Sequence, residues 1–164
     1  MDFSNSDGES YSVKLKESDN QFAIENYAKH GVDDEREQSR LRYWGATSLP
    51  YTIDDFYLTG SNLWNRAWSK SKYSVDNGTL CVKIVAKSYN EEEDHVYFDL
   101  WRDYGGGWDY VANTIVIPTK YADYDPASTI YKIPHMPAGT YYHRIYKYYT
   151  GYDAFGSGKV YQCN

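Results

Sequence analysis

His95-Val96-Tyr97-Phe98-Asp99-Leu100-Trp101-Arg102-Asp103 alternates two kinds of side chain. After Tyr104 and Gly105-Gly106-Gly107 the alternation resumes through Trp108-Asp109-Tyr110-Val111-Ala112-Asn113-Thr114-Ile115-Val116-Ile117-Pro118. Successive side chains of a strand point to opposite sides, so a period of two marks a strand with one buried face. Two such runs around a glycine turn make an antiparallel hairpin. One set, Val96, Phe98 and Leu100 with Ile115 and Ile117, is apolar. The other gathers Tyr97, Asp99, Trp101 and Asp103 beside Trp108 and Tyr110. A slip of one residue moves every side chain to the other face, so this grouping requires an even number of loop residues. An odd loop mixes the sets and buries less apolar area, and the even loop is expected.

Outward from this hairpin the same period runs from Pro50 to the end, with turn residues at intervals of about ten. Ser71 to Asp76, Asn77-Gly78 and Thr79 to Lys87 read as a hairpin with a type I′ turn, whose two central residues both need positive φ. Thr129 to Ile133, Gly139 to Tyr149 and Gly158 to Cys163 add further strands. About eight or nine short strands in succession, without helices between them, predict an all-β fold. The expected architecture is a single antiparallel β-sandwich of Greek-key, immunoglobulin-like or jelly-roll type. Residues 1–45 read as an acidic extension packed on the domain, with 46–164 forming the sandwich. Within the extension Tyr11, Val13 and Leu15 alternate as a short strand, and Ser18-Asp19 caps a short helix over Gln21 to Lys29 that stops at Gly31. Trp64 and Trp68 have the i,i+4 spacing of one helical turn.

The chain has 164 residues, 17 basic and 23 acidic side chains, a formal charge of −6 and 20 tyrosines. That charge opposes the phosphate-neutralising face a nucleic-acid partner requires. No apolar run approaches the ~18 residues of a membrane span. The acidic, Ser/Asn/Asp-rich start reads as a segment left after a signal peptide is removed. Two cysteines, Cys81 in an apolar run and Cys163 near the C-terminus, without Cys-x-x-Cys or a Cys/His cluster, predict a disulfide. Together these place the protein outside the cell or on its surface.

Ala138-Gly139-Thr140-Tyr141-Tyr142-His143 and Phe155-Gly156-Ser157-Gly158-Lys159-Val160 resemble the last two strands of immunoglobulin-type domains, with Cys81 and Trp101 in matching order upstream. The resemblance implies a Greek-key sandwich in which Tyr141 is the tyrosine-corner residue, its hydroxyl bonding the backbone. His143 then stands at the position of the second core cysteine.

Catalytic signatures are scarce. The chain lacks His-Glu-x-x-His and Gly-x-Ser-x-Gly, and at Gly151 to Gly156 the Walker-like spacing meets Ser157 where the lysine belongs. A Cys81/His143 nucleophile pair and an Asp99/Asp103 carboxylate pair are the chemistry left to a small hydrolase. Asp123 and Asp125, in the Tyr121 to Ser128 loop, are the residues for a structural calcium ion; no other metal or cofactor is expected. Asn77-Gly78-Thr79 fits a glycosylation sequon but reads first as a turn. The face formed by Tyr97, Asp99, Trp101, Asp103, Trp108 and Tyr110 offers rings for sugar C–H faces and carboxylates for hydroxyls. Tyr142, Arg144, Tyr146 and Tyr148 on one side of a later strand offer a second platform. The expected function is a non-enzymatic module binding a glycan or another extracellular ligand. The alternative partner is an extracellular protein, met by an adhesin, inhibitor or accessory domain through its aromatic anchors or an edge strand.

Overall fold

The computed structural model describes residues 2–5, 10–12, 45–60, 65–92, 94–105, 109–122, 128–148 and 150–163. The strands are β1 (Asp2–Asn5), β2 (Ser10–Ser12), β3 (Ala46–Thr47), β4 (Tyr51–Leu58), β5 (Arg66–Trp68), β6 (Lys72–Val75), β7 (Gly78–Ser88), β8 (His95–Asp103), β9 (Asp109–Pro118), β10 (Lys120–Tyr121), β11 (Thr129–Met136), β12 (Gly139–Tyr146) and β13 (Ala154–Cys163). They form a seven-stranded sheet, β2-β1-β11-β7-β13-β4 with β10 beside β7, and a six-stranded sheet, β3-β6-β12-β8-β9 with β5 beside β12. The expected β-sandwich is the observed fold. Two short parallel pairs, β10 with β7 and β3 with β6, interrupt an otherwise antiparallel order. The strand read from Tyr11 is described only to Ser12, and the helix over Gln21 to Lys29 lies outside the described residues.

The core follows from the alternation. Leu58, Leu80, Val82, Ile84 and Val160 of the larger sheet meet Val96, Phe98, Leu100, Ile115 and Ile145 of the smaller one, all buried. Each such side chain contributes about 1.5–3 kcal/mol by leaving water. Gly156 has a packing role: a Cβ there would overlap the Val85 carbonyl oxygen and crowd the Phe56 ring.

The expected Asn77-Gly78 hairpin is not formed. β6 lies in the six-stranded sheet and β7 in the other, so the chain crosses the sandwich at this point. Only Gly78 takes positive φ, at 137°, which removes the type I′ turn. Tyr73 and Val75 must face Leu80 and Val82 through the interior. A crossing meets that need as well as a hairpin does, and alternation alone does not separate the two. Side-chain hydrogen bonds hold the corner. Gln162 accepts from the Asp76 N–H at 3.1 Å and donates to the Asp76 and Thr79 carbonyls at 3.2 Å each; Asn77 Oδ1 accepts from the Ala138 N–H at 2.8 Å.

The glycine hairpin also departs from expectation. Asp103 pairs with Asp109, so the connection is 104–108, an odd number of residues. A β-bulge between the pairs Leu100/Asn113 and Trp101/Val111 adds one residue, Ala112, and restores the parity beyond it. Val96 therefore faces Ile117 and Phe98 faces Ile115, as the apolar pattern requires.

Tyr141 donates its hydroxyl to the Pro137 carbonyl at 2.8 Å, the corner bond that the resemblance implies. Cys81 and Cys163 are joined in a disulfide between neighbouring strands β7 and β13. His143 is buried, its ring 4.7 Å from that of Phe98 and its Nδ1 2.9 Å from the Tyr73 hydroxyl. A Cys81/His143 nucleophile pair is thereby excluded: the sulfur is in the disulfide of one sheet, and the imidazole belongs to the other. Trp68 lies on strand β5, not on a helical turn; Trp64 is outside the described residues.

Candidate ligand-binding surface

The residues singled out in the sequence do converge, on the side of the six-stranded sheet facing away from the core. Cross-strand pairs set Tyr142 against Trp101, Arg144 against Asp99 and Tyr146 against Tyr97, merging the two expected platforms into one. Tyr97 and Tyr146 stack at 5.3 Å, and Trp68 lies 5.7 Å from Trp101 and 5.8 Å from Tyr142. Between these groups the Arg144 guanidinium donates to Asp99 Oδ2 at 3.1 Å and lies 4.3 Å from the Tyr146 ring centre, while Thr114 donates to Asp99 Oδ1 at 2.7 Å. Burial, and the Asp99 charge beside it, push the Tyr146 hydroxyl well above the ordinary tyrosine range.

This face is packed, not open. Tyr97 and Trp101 are each 6% exposed and Asp99 is 2% exposed. In the absence of enough Leu and Ile, tyrosine and tryptophan fill space here as they do in a core. Tyr110 is exposed but leaves the group: the bulge at Ala112 pairs it with Arg102, and its ring meets Tyr104 at 5.6 Å. Trp108, Asp123 and Asp125 lie outside the described residues.

The carboxylates are committed as well. Asp103 accepts from Lys72 Nζ at 3.0 Å and the Gly105 N–H at 2.8 Å, and Asp109 accepts from the Tyr142 hydroxyl at 2.6 Å. Burial pushes the Asp103 carboxyl up, but Gly105 and Lys72 outweigh it and hold it below the usual range. An acid/base pair needs one carboxyl held neutral over a cleft. Asp99 and Asp103 instead serve as structural acceptors.

Open rings occur on the outer side of the other sheet. Tyr57 of β4 and Phe155 of β13 are cross-strand partners with ring centres 6.1 Å apart and planes within 13° of parallel. Tyr89, just past β7, brings its ring within 5.4 Å of Phe155. Tyr57 is 55% and Tyr89 54% exposed. They border an open groove of about 540 Å³ that also takes in Asp55, Lys87 and Ser157. A second hollow of about 680 Å³ shares Asp55 and Ser157 with it and continues past Thr52, Lys83, Ser128 and Lys159.

Tyr57 is held in place by a chain of polar contacts. Its hydroxyl donates to Asp153, which also accepts from the Gly60 N–H at 2.8 Å. The hydrogen bond lowers the Asp153 carboxyl below its ordinary range and raises the Tyr57 hydroxyl. The segment carrying Asp153 is pinned in turn by the buried Lys147, which donates to Thr150 Oγ1 at 2.7 Å and to the Tyr148 and Tyr152 carbonyls. Burial lowers the Lys147 ammonium from its ordinary range, against the pull of Asp94 and Asp153.

The sequence held one signal for this surface that the hairpin reading passed over. Tyr57 lies between Phe56 and Leu58, both in the core, so alternation already sends its ring outward. The doublet Asp54-Asp55 obscures the phase, because the register of β4 against β13 shifts there.

No family model matches the chain, and no curated protein does. Among solved structures it is similar to the pre-peptidase C-terminal domain of a collagenase from Bacillus anthracis. That similarity has 15% identity, covers 71% of this chain and 92% of the other, and gives a TM-score of 0.42.

Proposed function

We propose that the protein is a non-enzymatic extracellular module that binds glycan on the outer side of its seven-stranded sheet. The observation carrying this reading is the near-parallel pair of exposed Tyr57 and half-buried Phe155, with exposed Tyr89 beside them, bordering a groove that polar residues also line. Rings held in this way offer flat apolar area with little entropy left to lose on binding. Asp55, Ser157 and Lys87 supply acceptors and donors for sugar hydroxyls. The disulfide supports an oxidising compartment. The committed carboxylates and the bonded Cys81 support a role without catalysis.

The test is a glycan array followed by titration calorimetry on any positive. Tyr57→Ala and Tyr89→Ala are expected to weaken binding at least tenfold without lowering the melting temperature by more than a few degrees. Silence across the array, or binding that survives both substitutions, overturns the reading.

A further inference from the structure

We infer that the groove selects an acidic glycan, its carboxylate or sulfate groups meeting a lysine row that crosses the groove; this rests on the glycan-binding reading above. The chain carries 23 acidic residues, yet β7, β11 and β13, three adjacent strands of the seven-stranded sheet, contain none. They contain four lysines instead: Lys83, Lys87, Lys132 and Lys159. Each follows or precedes a core residue, Val82, Ala86, Tyr131 or Val160, and so points away from the interior. An acidic protein thus presents cations on the very sheet that holds its open groove.

The register sharpens this. Lys83 and Lys159 are directly opposite each other on β7 and β13. Like charges in that relation are destabilising. Among the described residues no carboxylate lies within ion-pair distance of Lys83, Lys87, Lys132 or Lys159, although Asp54 and Asp55 line the same hollow as Lys83 and Lys159. Asp54 at the groove's polar end is engaged by Lys70 at 3.3 Å. Lys159 has the Tyr161 ring at 5.1 Å, which holds its side chain over the sheet. A repulsive pair kept at a groove, next to stacking rings, is complementary to an anion that also has apolar faces. Sugar rings bearing carboxylate or sulfate have both.

The two hollows share Asp55 and Ser157, so one linear ligand can touch both. One sugar ring would lie on Tyr57, Phe155 and Tyr89. Its neighbour would reach Lys83 and Lys159, while Lys87, directly opposite Phe155, lies beside the first ring and Ser157 lies between the two positions.

The probes are tetragalacturonic acid for carboxylate, a heparin-derived tetrasaccharide for sulfate, cellotetraose as the neutral chain and a short single-stranded oligonucleotide as a non-sugar polyanion. Calorimetry is run at low and at high salt. At least one acidic tetrasaccharide is expected to bind at least tenfold more tightly than cellotetraose, and to lose that advantage in high salt. Lys83→Gln with Lys159→Gln is expected to remove the same advantage while leaving thermal stability equal or higher, since it relieves repulsion. Equal affinity for neutral and acidic chains, or an unchanged acidic preference in the double variant, overturns the inference and leaves glycan binding standing. If no sugar binds, both fall. If the oligonucleotide binds more tightly than the acidic sugars, the lysine row serves another anion and the inference is overturned.

Discussion

Arg144 on β12 is paired with Asp99 on β8 at 3.1 Å, with both side chains buried among tyrosine and tryptophan rings on the side of the sheet away from the main core. A buried charge that loses its partner is left uncompensated, at a cost of about 3–5 kcal/mol. Arg144→Met and Asp99→Asn are each expected to lower unfolding free energy by that order, and the two together by much less than the sum. Urea denaturation of the single and double variants measures the coupling. Additive losses would show that the pair does not act as a unit.

The two aromatic groups should separate cleanly. Trp101→Ala removes a buried ring and is expected to cost about 3–5 kcal/mol. Tyr57→Ala and Tyr89→Ala remove exposed rings, and each should cost about 1 kcal/mol or less. Thermal melts of the three variants compare them directly. A Trp101 variant as stable as the parent would restore Trp101 as a free surface ring.

Burial holds the His143 imidazole at about 3, far below its ordinary 6.5, so the folded protein keeps it neutral with the Tyr73 hydroxyl at Nδ1. Below pH 6.5 the unfolded chain binds a proton that the folded one refuses. Stability is therefore fully present above that pH and falls by about 1.4 kcal/mol per unit as the pH drops toward 3. Between pH 6.5 and 5, before most carboxylates titrate, the expected loss is about 2 kcal/mol. Denaturant melts of the parent and of His143→Gln across that window test it: the variant's profile should be flatter, and parallel profiles would remove His143 as the source.

Denatured, unreduced protein should show no free thiol, because Cys81 and Cys163 are bonded. Replacing both by serine opens a loop with a sequence separation of 82 and is expected to cost up to about 4.5 kcal/mol in the chain-entropy view. A double-serine variant melting with the parent would show that folding does not draw on the bridge.

The sandwich, the disulfide and the Tyr141 corner were legible because each depends on local chemistry: alternation, cysteine count, or one hydroxyl four residues from its acceptor. The Asn77-Gly78 corner was not, since a turn sequence says how sharply the chain bends and not which sheet receives it. Tyr97, Asp99 and Trp101 were correctly grouped on one face, but period two assigns a side and says nothing of what packs against it. The bulge at Ala112, which removes Tyr110 from the group, has no glycine or charge to announce it. Lys83 and Lys159 lie 76 positions apart, and only strand order and register bring them opposite each other.

The disulfide between β7 and β13 encloses β8 through β12 within its covalent loop. A pull applied upstream of Cys81 and downstream of Cys163 passes through the sulfur–sulfur bond and bypasses everything between. Only the strands ahead of Cys81 can unravel, lengthening the chain by at most about 3.6 Å per residue released. Lys83, Lys87, Tyr89, Phe155 and Lys159 all lie inside the protected loop, while Phe56 and Tyr57, which also line the groove, lie outside it. A domain tethered at both ends and loaded by flow would keep its lysine row when its first strands had already come away.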